Sequence, residues 1–154
     1  MGDRSLLGQL APASRVAFVT PVDTTDTWPG EKLYERSIGT IRGRNVDMFL
    51  LMAPHGMIPE SSAARHPEIR SYVTEPELRV VGKDTAAGVR AWLDSNGMNY
   101  KRIVVLDLGG LGMTIWNRAV AGSPASRKVR LVKVYRGVNL TSDYVRRTLK
   151  SAVS

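Results

Sequence analysis

Val46 to Ser62 reads VDMFLLMAPHGMIPESS, an apolar run that stops at Pro54-His55-Gly56 and is followed by Ile58-Pro59-Glu60. Apolar residues without strict alternation mark a strand buried on both faces, of the kind that lies inside a sheet covered by helices. Open α/β sheets bind ligands in the crevice beyond the carboxyl ends of such strands. Pro54, His55, Gly56 and Glu60 therefore stand where a site is expected.

Working outward, strands and helices alternate. Arg15–Thr20 is β-rich and stops at Pro21, and the turn-forming run Asp23–Thr27 leads to Pro29, which opens a helix through about Thr40. After the strand Val46–Ala53, residues 61–76 read as a long loop with a helical turn and Leu78–Val81 as a short strand. A helix over Asp84–Asn96 follows. Lys101–Leu108 is a second buried strand, ending in Gly109-Gly110-Leu111-Gly112 before a helix over Thr114–Ala121. Lys128–Tyr135 alternates basic and apolar residues like a half-exposed strand, and Thr141-Ser142-Asp143 caps a last helix to about Ala152. The pattern predicts an α/β fold: a single Rossmann-like domain over residues 1–154, with a mostly parallel central sheet flanked by helices. Right-handed crossovers then gather loops 20–30, 53–62 and 108–114 along one edge.

Composition narrows the chemistry. The chain has 154 residues and no cysteine, which excludes disulfides, thiolate metal sites and cysteine nucleophiles. No apolar run approaches 20 residues, so no membrane span is expected. The N-terminal stretch is too interrupted for a secretory signal, which makes a cytoplasmic location the expectation. The net charge of +8 is uneven. Arg127, Lys128, Arg130, Lys133, Arg136, Arg146, Arg147 and Lys150 face one acid, Asp143, from residue 127 onward, while the rest of the chain is nearly neutral. A basic segment on a neutral body fits a polyanion, with RNA or DNA the commonest partner. The competing reading is a solvated edge strand and helix whose charges block aggregation.

His55, Glu60 and Asp23 are the candidate catalytic residues. His55 has the intrinsic pKa for proton transfer near neutrality, and paired carboxylates divide acid and base roles when their surroundings separate their pKa values. Each has a plainer alternative: a hydrogen-bonded turn for His55, a helix-start charge for Glu60, and a cap for Asp23. His66, beside Pro67, reads as structural or surface. Gly109, Gly110 and Gly112 follow a strand and precede a helix, where backbone N–H groups cradle phosphate or carboxylate. With Pro54, Gly56 and Lys83 they form the candidate substrate-binding set. Lys83 stands out because a lysine opening a helix after Gly82 opposes the helix dipole. No dinucleotide fingerprint or Walker motif is present, and the two histidines have no metal-ligand spacing, so no cofactor and no metal are expected.

Met52-Ala-Pro-His-Gly-Met-Ile-Pro-Glu60, His66-Pro67 and Leu78-Arg-Val-Val-Gly82 before a helix resemble the core domain of archaeosine synthases, related to archaeal tRNA-guanine transglycosylases. The resemblance spans roughly residues 15–120. It implies a Rossmann-like domain tied to 7-deazaguanine modification of tRNA. The family's Pro-Cys signature after the first strand is Pro21-Val22 here, and its Lys-Pro-Tyr place falls at about Asp26-Thr27-Trp28. Two functions are therefore expected: a divergent or partner-dependent tRNA-modification enzyme, or a non-catalytic nucleic-acid-binding or assembly protein. Either could work as a homo-oligomer or beside a partner enzyme.

Overall fold

A computed structural model describes residues 14–22, 32–43, 45–65, 75–134 and 141–154. Asp23, His66 and Arg136, and the start of the first helix at Pro29, lie outside the described residues.

The fold is an α/β structure with a mixed, mostly parallel sheet of five strands. β1 (Arg15–Pro21), β2 (Val46–Met52), β4 (Tyr100–Asp107) and β5 (Val129–Lys133) run parallel, while β3 (Gly56–Pro59) pairs antiparallel with β2. Their order is β3-β2-β1-β4-β5, which puts the first strand at the centre.

Alternate residues of the central strands feed two cores. Val16, Phe18, Leu50, Met52, Val104 and Leu106 pack under α1 (Lys32–Ser37), the 3-10 turn Ile38–Ile41, α2 (Glu60–Arg65) and α5 (Asp143–Val153). Ala17, Val19, Leu51, Ile103 and Val105 pack under α3 (Glu75–Asn96) and α4 (Gly110–Val120) on the opposite face. The β1-α1-β2 and β4-α4-β5 units thus lie on opposite faces and step away from β1 in opposite directions, as right-handed crossovers require. Among the described residues no helix is long and apolar enough to cross a membrane.

Two expectations are corrected. Leu78–Val81 is not a strand but the first part of α3, a helix of 22 residues. Gly82, Thr85, Ala86, Val89 and Leu93 fall on one helical stripe, and all are buried. Gly82 faces Ile115 of α4, where an added Cβ would stand in ordinary contact at 3.5 Å. Val80, 79% exposed, and Val81 are the β-branched residues that made the segment look like a strand. Burial of the stripe overrides its local preference.

Residues 53–62 are likewise not a single strand-exit loop. Met52 pairs with Gly56, leaving Ala53-Pro54-His55 as a three-residue hairpin tip. A parallel partner needs a crossover of a dozen residues or more, so so short a link makes β3 antiparallel. The sheet consequently carries one antiparallel edge.

At the amino ends of the strands, Asp47 ties three strands together. It accepts two bonds from the Arg15 guanidinium, one of them 3.1 Å from Nε, and one from the Tyr100 hydroxyl at 2.9 Å. Above it Phe49 meets Trp92 edge-on at 5.0 Å, and Trp92 stacks on Tyr100 at 6.1 Å. The bond from Arg15 holds the Asp47 carboxyl below the usual carboxylate range, against a smaller opposing effect of burial. A depressed folded pKa stabilises the fold above the ordinary value of about 3.9, and that contribution is lost as pH falls through the lowered value. Asp47→Asn should therefore cost about 1 kcal/mol at pH 7, the pair being partly exposed, and should flatten the acid limb of stability against pH. Urea unfolding between neutral pH and pH 2 measures both. An acid limb unchanged in the variant would show that Asp47 does not contribute.

Candidate functional site

β1, β2 and β4 end at the same edge, and strand order reverses between β1 and β4, the position at which open α/β sheets place a ligand crevice. The glycine run closes β4 against that crevice. Gly109 and Gly110 have φ of 77° and 78°, and the Gly109 N–H donates to Asp107 Oδ1 at 2.9 Å. This left-handed pair turns the chain sharply into α4, a backbone path that side chains with a Cβ disfavour. Gly112 does something else. A Cβ there would stand 3.1 Å from the Val22 carbonyl oxygen and 3.2 Å from Pro21, so its bare backbone lets the start of α4 rest on the end of β1. Gly112 is buried against the end of β1. Gly109 and Gly110 remain exposed at the crevice.

The other described candidates are divided between the carboxyl edge of the sheet and its helices. Pro54 and His55 are exposed at the β2–β3 hairpin tip, while Gly56, with φ of 89°, is buried as it starts β3. Lys83 lies exposed within α3, so the reading of it as a lysine opening a helix is corrected.

Glu60 is not at a strand exit either. β3 carries the chain back along β2 to Phe49, and Glu60 begins α2 with only 7% of its surface exposed. Its Oε2 accepts from the Tyr34 hydroxyl at 2.5 Å, and its Oε1 accepts from Arg42 Nε. Arg42 also donates from Nη2 to Glu35 at 2.9 Å and lies 5.8 Å from the Tyr34 ring centre. Burial, and then the Glu60 charge, push the Tyr34 phenol upward, so it stays a neutral donor. Glu60 thereby links α1, the segment after the 3-10 turn and α2. Its burial is satisfied by charge-assisted bonds rather than by substrate.

The basic segment is assembled differently. β5 joins its own sheet as the edge beside β4, with Lys133 in register with Asp107. Ser142 caps α5, accepting from the Val145 N–H at 3.3 Å. At the other end of α5, Arg102 Nη1 donates to the carbonyls of Ala152 at 2.8 Å and Ser154 at 3.0 Å, a cation on the negative end of the helix.

Between β5 and α5 lies an open groove of about 540 Å³, lined by Arg130, Leu131, Val132, Tyr144, Arg147, Thr148, Ser151 and Ala152. On the other flank of α5, Thr40, Asp143, Arg146, Arg147 and Lys150 line a second hollow of about 500 Å³. Arg146 pairs with Asp143 at 2.6 Å, and Arg147 lines both hollows. Arg130, Lys133 and Lys150 are exposed, and none of the ion pairs among the described residues takes them. Arg127 is exposed in the 3-10 turn that precedes β5.

Lys128 is the exception to the basic set. Its ammonium donates to the carbonyls of Gly97 at 3.2 Å and Tyr100 at 3.0 Å, so it pins the end of α3 to the start of β4. Sequence reading also missed Tyr144, Thr148 and Ser151, which join Arg147 on one side of α5. Their helical spacing was the available signal. Among the described residues, no three His, Asp or Glu side chains form a metal-holding group.

Glu60→Gln should lower unfolding stability by about 2 kcal/mol, through loss of the charge-assisted bond to Arg42. Denaturant titration tests this, and an unchanged midpoint would return Glu60 to the pool of residues free for chemistry. The chain matches no family model, no curated protein and no solved structure.

Proposed function

We propose that this chain is a nucleic-acid-binding protein whose β5–α5 face contacts the phosphate backbone, with no catalytic step of its own. The observation that carries this reading is the clustering of Arg130, Arg147 and Lys150 around two open hollows on one face. Phosphate contacts of this kind dominate affinity for nucleic acids and need no deep pocket. Of the candidate catalytic side chains, Glu60 supports the non-catalytic choice, because it is buried in bonds to Tyr34 and Arg42.

The strand order, with its reversal beside β1 and helices on both faces, supports the finer description of the fold as Rossmann-like. The likeness to archaeosine synthase cores favours RNA, tRNA above all, over DNA. A second reading keeps one observation: strand order reverses between β1 and β4, and Gly109 and Gly110 lie exposed just beyond the end of β4. On that reading the chain is a divergent or partner-dependent modification enzyme.

Fluorescence anisotropy with labelled RNA and DNA oligonucleotides across a salt series tests the proposal. Affinity should fall steeply as salt rises. Replacing Arg130, Arg147 and Lys150 together by Ala should weaken binding about tenfold or more and reduce the log–log salt slope by about 2. Salt-independent binding, or a triple variant that binds like the parent, would overturn it. A change in tRNA base composition catalysed by the purified chain would favour the enzyme instead.

A further inference from the structure

The groove between β5 and α5 differs from a simple basic surface because its rim carries an exposed aromatic ring. Tyr144 is 67% exposed, and Leu131 in the same groove is 40% exposed. Tyr144 has no packing duty to explain this. Val145, Leu149 and Ala152 are the residues by which α5 meets the core, while Tyr144 sits on the helix's outward side. Arg147, one turn further along, lines the groove beside it, and Arg130 faces it from the strand.

An exposed ring beside two guanidinium groups is the pairing that binds unpaired nucleotides, with bases stacking on the ring while cations hold the phosphates. A duplex hides its base faces and offers Tyr144 nothing to stack on. Size agrees: about 540 Å³ is room for roughly one nucleotide, a unit of a few hundred daltons, lying in an open groove. Asp143, the acid nearest the groove in sequence, is already paired with Arg146.

We infer that the β5–α5 groove binds single-stranded nucleic acid, with a base stacked on Tyr144 and the flanking phosphates on Arg130 and Arg147. This rests on the nucleic-acid reading above and names the form of polymer that the face selects.

The test compares a short unstructured oligouridylate with a duplex of equal length, by anisotropy, for the parent chain and for Tyr144→Ala, Tyr144→Phe and Arg147→Ala. The single strand should bind about tenfold or more tighter than the duplex. Tyr144→Ala should weaken single-strand binding about tenfold with the salt slope unchanged, because no charge is removed. Tyr144→Phe, which keeps the ring, should bind like the parent, and Arg147→Ala should reduce the slope. Thermal unfolding of the Tyr144 variants should match the parent, since the residue is exposed.

If duplex binds as tightly as single strand, or Tyr144→Ala is silent while Arg147→Ala still lowers the slope, the stacking inference is overturned and the nucleic-acid reading stands. Heparin bound as tightly as the oligonucleotide would also overturn it. The absence of salt-dependent binding to any nucleic acid would sink both.

Discussion

Everything in this fold is arranged around the two-sided burial of β1. Every residue from Val16 to Val22 is buried, with Val16 and Phe18 on one face and Ala17 and Val19 on the other. A strand with no solvent face must have a sheet neighbour on each side and a helical layer on each face. β2 and β4 supply the neighbours; α1 with α5, and α3 with α4, supply the layers. The placement of the crevice follows, because the chain leaves β1 in one direction first and returns to its other side later. The contact of Gly112 with Pro21 and Val22 is part of the same constraint, since α4 must close down on the end of that strand.

How much of this was legible depended on whether local pattern and tertiary demand agreed. β1, β2 and β4 were plain from apolar runs of β-branched and large residues, and the Ser142 cap of α5 from its position before Val145. Leu78–Val81 was not legible, because a β-like tetrad was recruited into a long helix by a buried stripe that continues to Leu93. The hairpin was missed because Pro54-His55-Gly56 fits both a tight turn and a strand exit. What separates them is whether Gly56–Pro59 pairs with β2, a contact no local pattern reveals.

The candidate site shows the same division. The basic character of the C-terminal segment could be read by counting charges, but the employment of each charge could not. Lys128 is spent on two carbonyls and Arg146 on Asp143, whereas Arg130 lines the open groove and Arg147, whose Nε donates to the Asp143 carbonyl at 3.3 Å, lines both hollows. Conversely Arg102, in a segment whose charge is balanced, turns out to hold the helix that builds the groove. Glu60 was singled out as an acid at an expected strand exit, whereas the structure places it at the start of α2, buried among donors of the fold. Tyr34, Arg42 and Glu60 sit far apart in sequence, so their network had no local signature.

The Arg102 contact has a consequence for the groove wall. α5 is fastened at its carboxyl end to a residue of β4, and Leu149 and Ala152 seat it on the core along the way. The wall opposite β5 is thus clamped to one of the most deeply buried strands of the sheet rather than to the edge strand alone. A ligand entering from the side of Tyr144 would meet a surface whose shape exists before it arrives, so little ordering cost is charged against binding. The rigidity of the peripheral, charged face is inherited from the apolar centre.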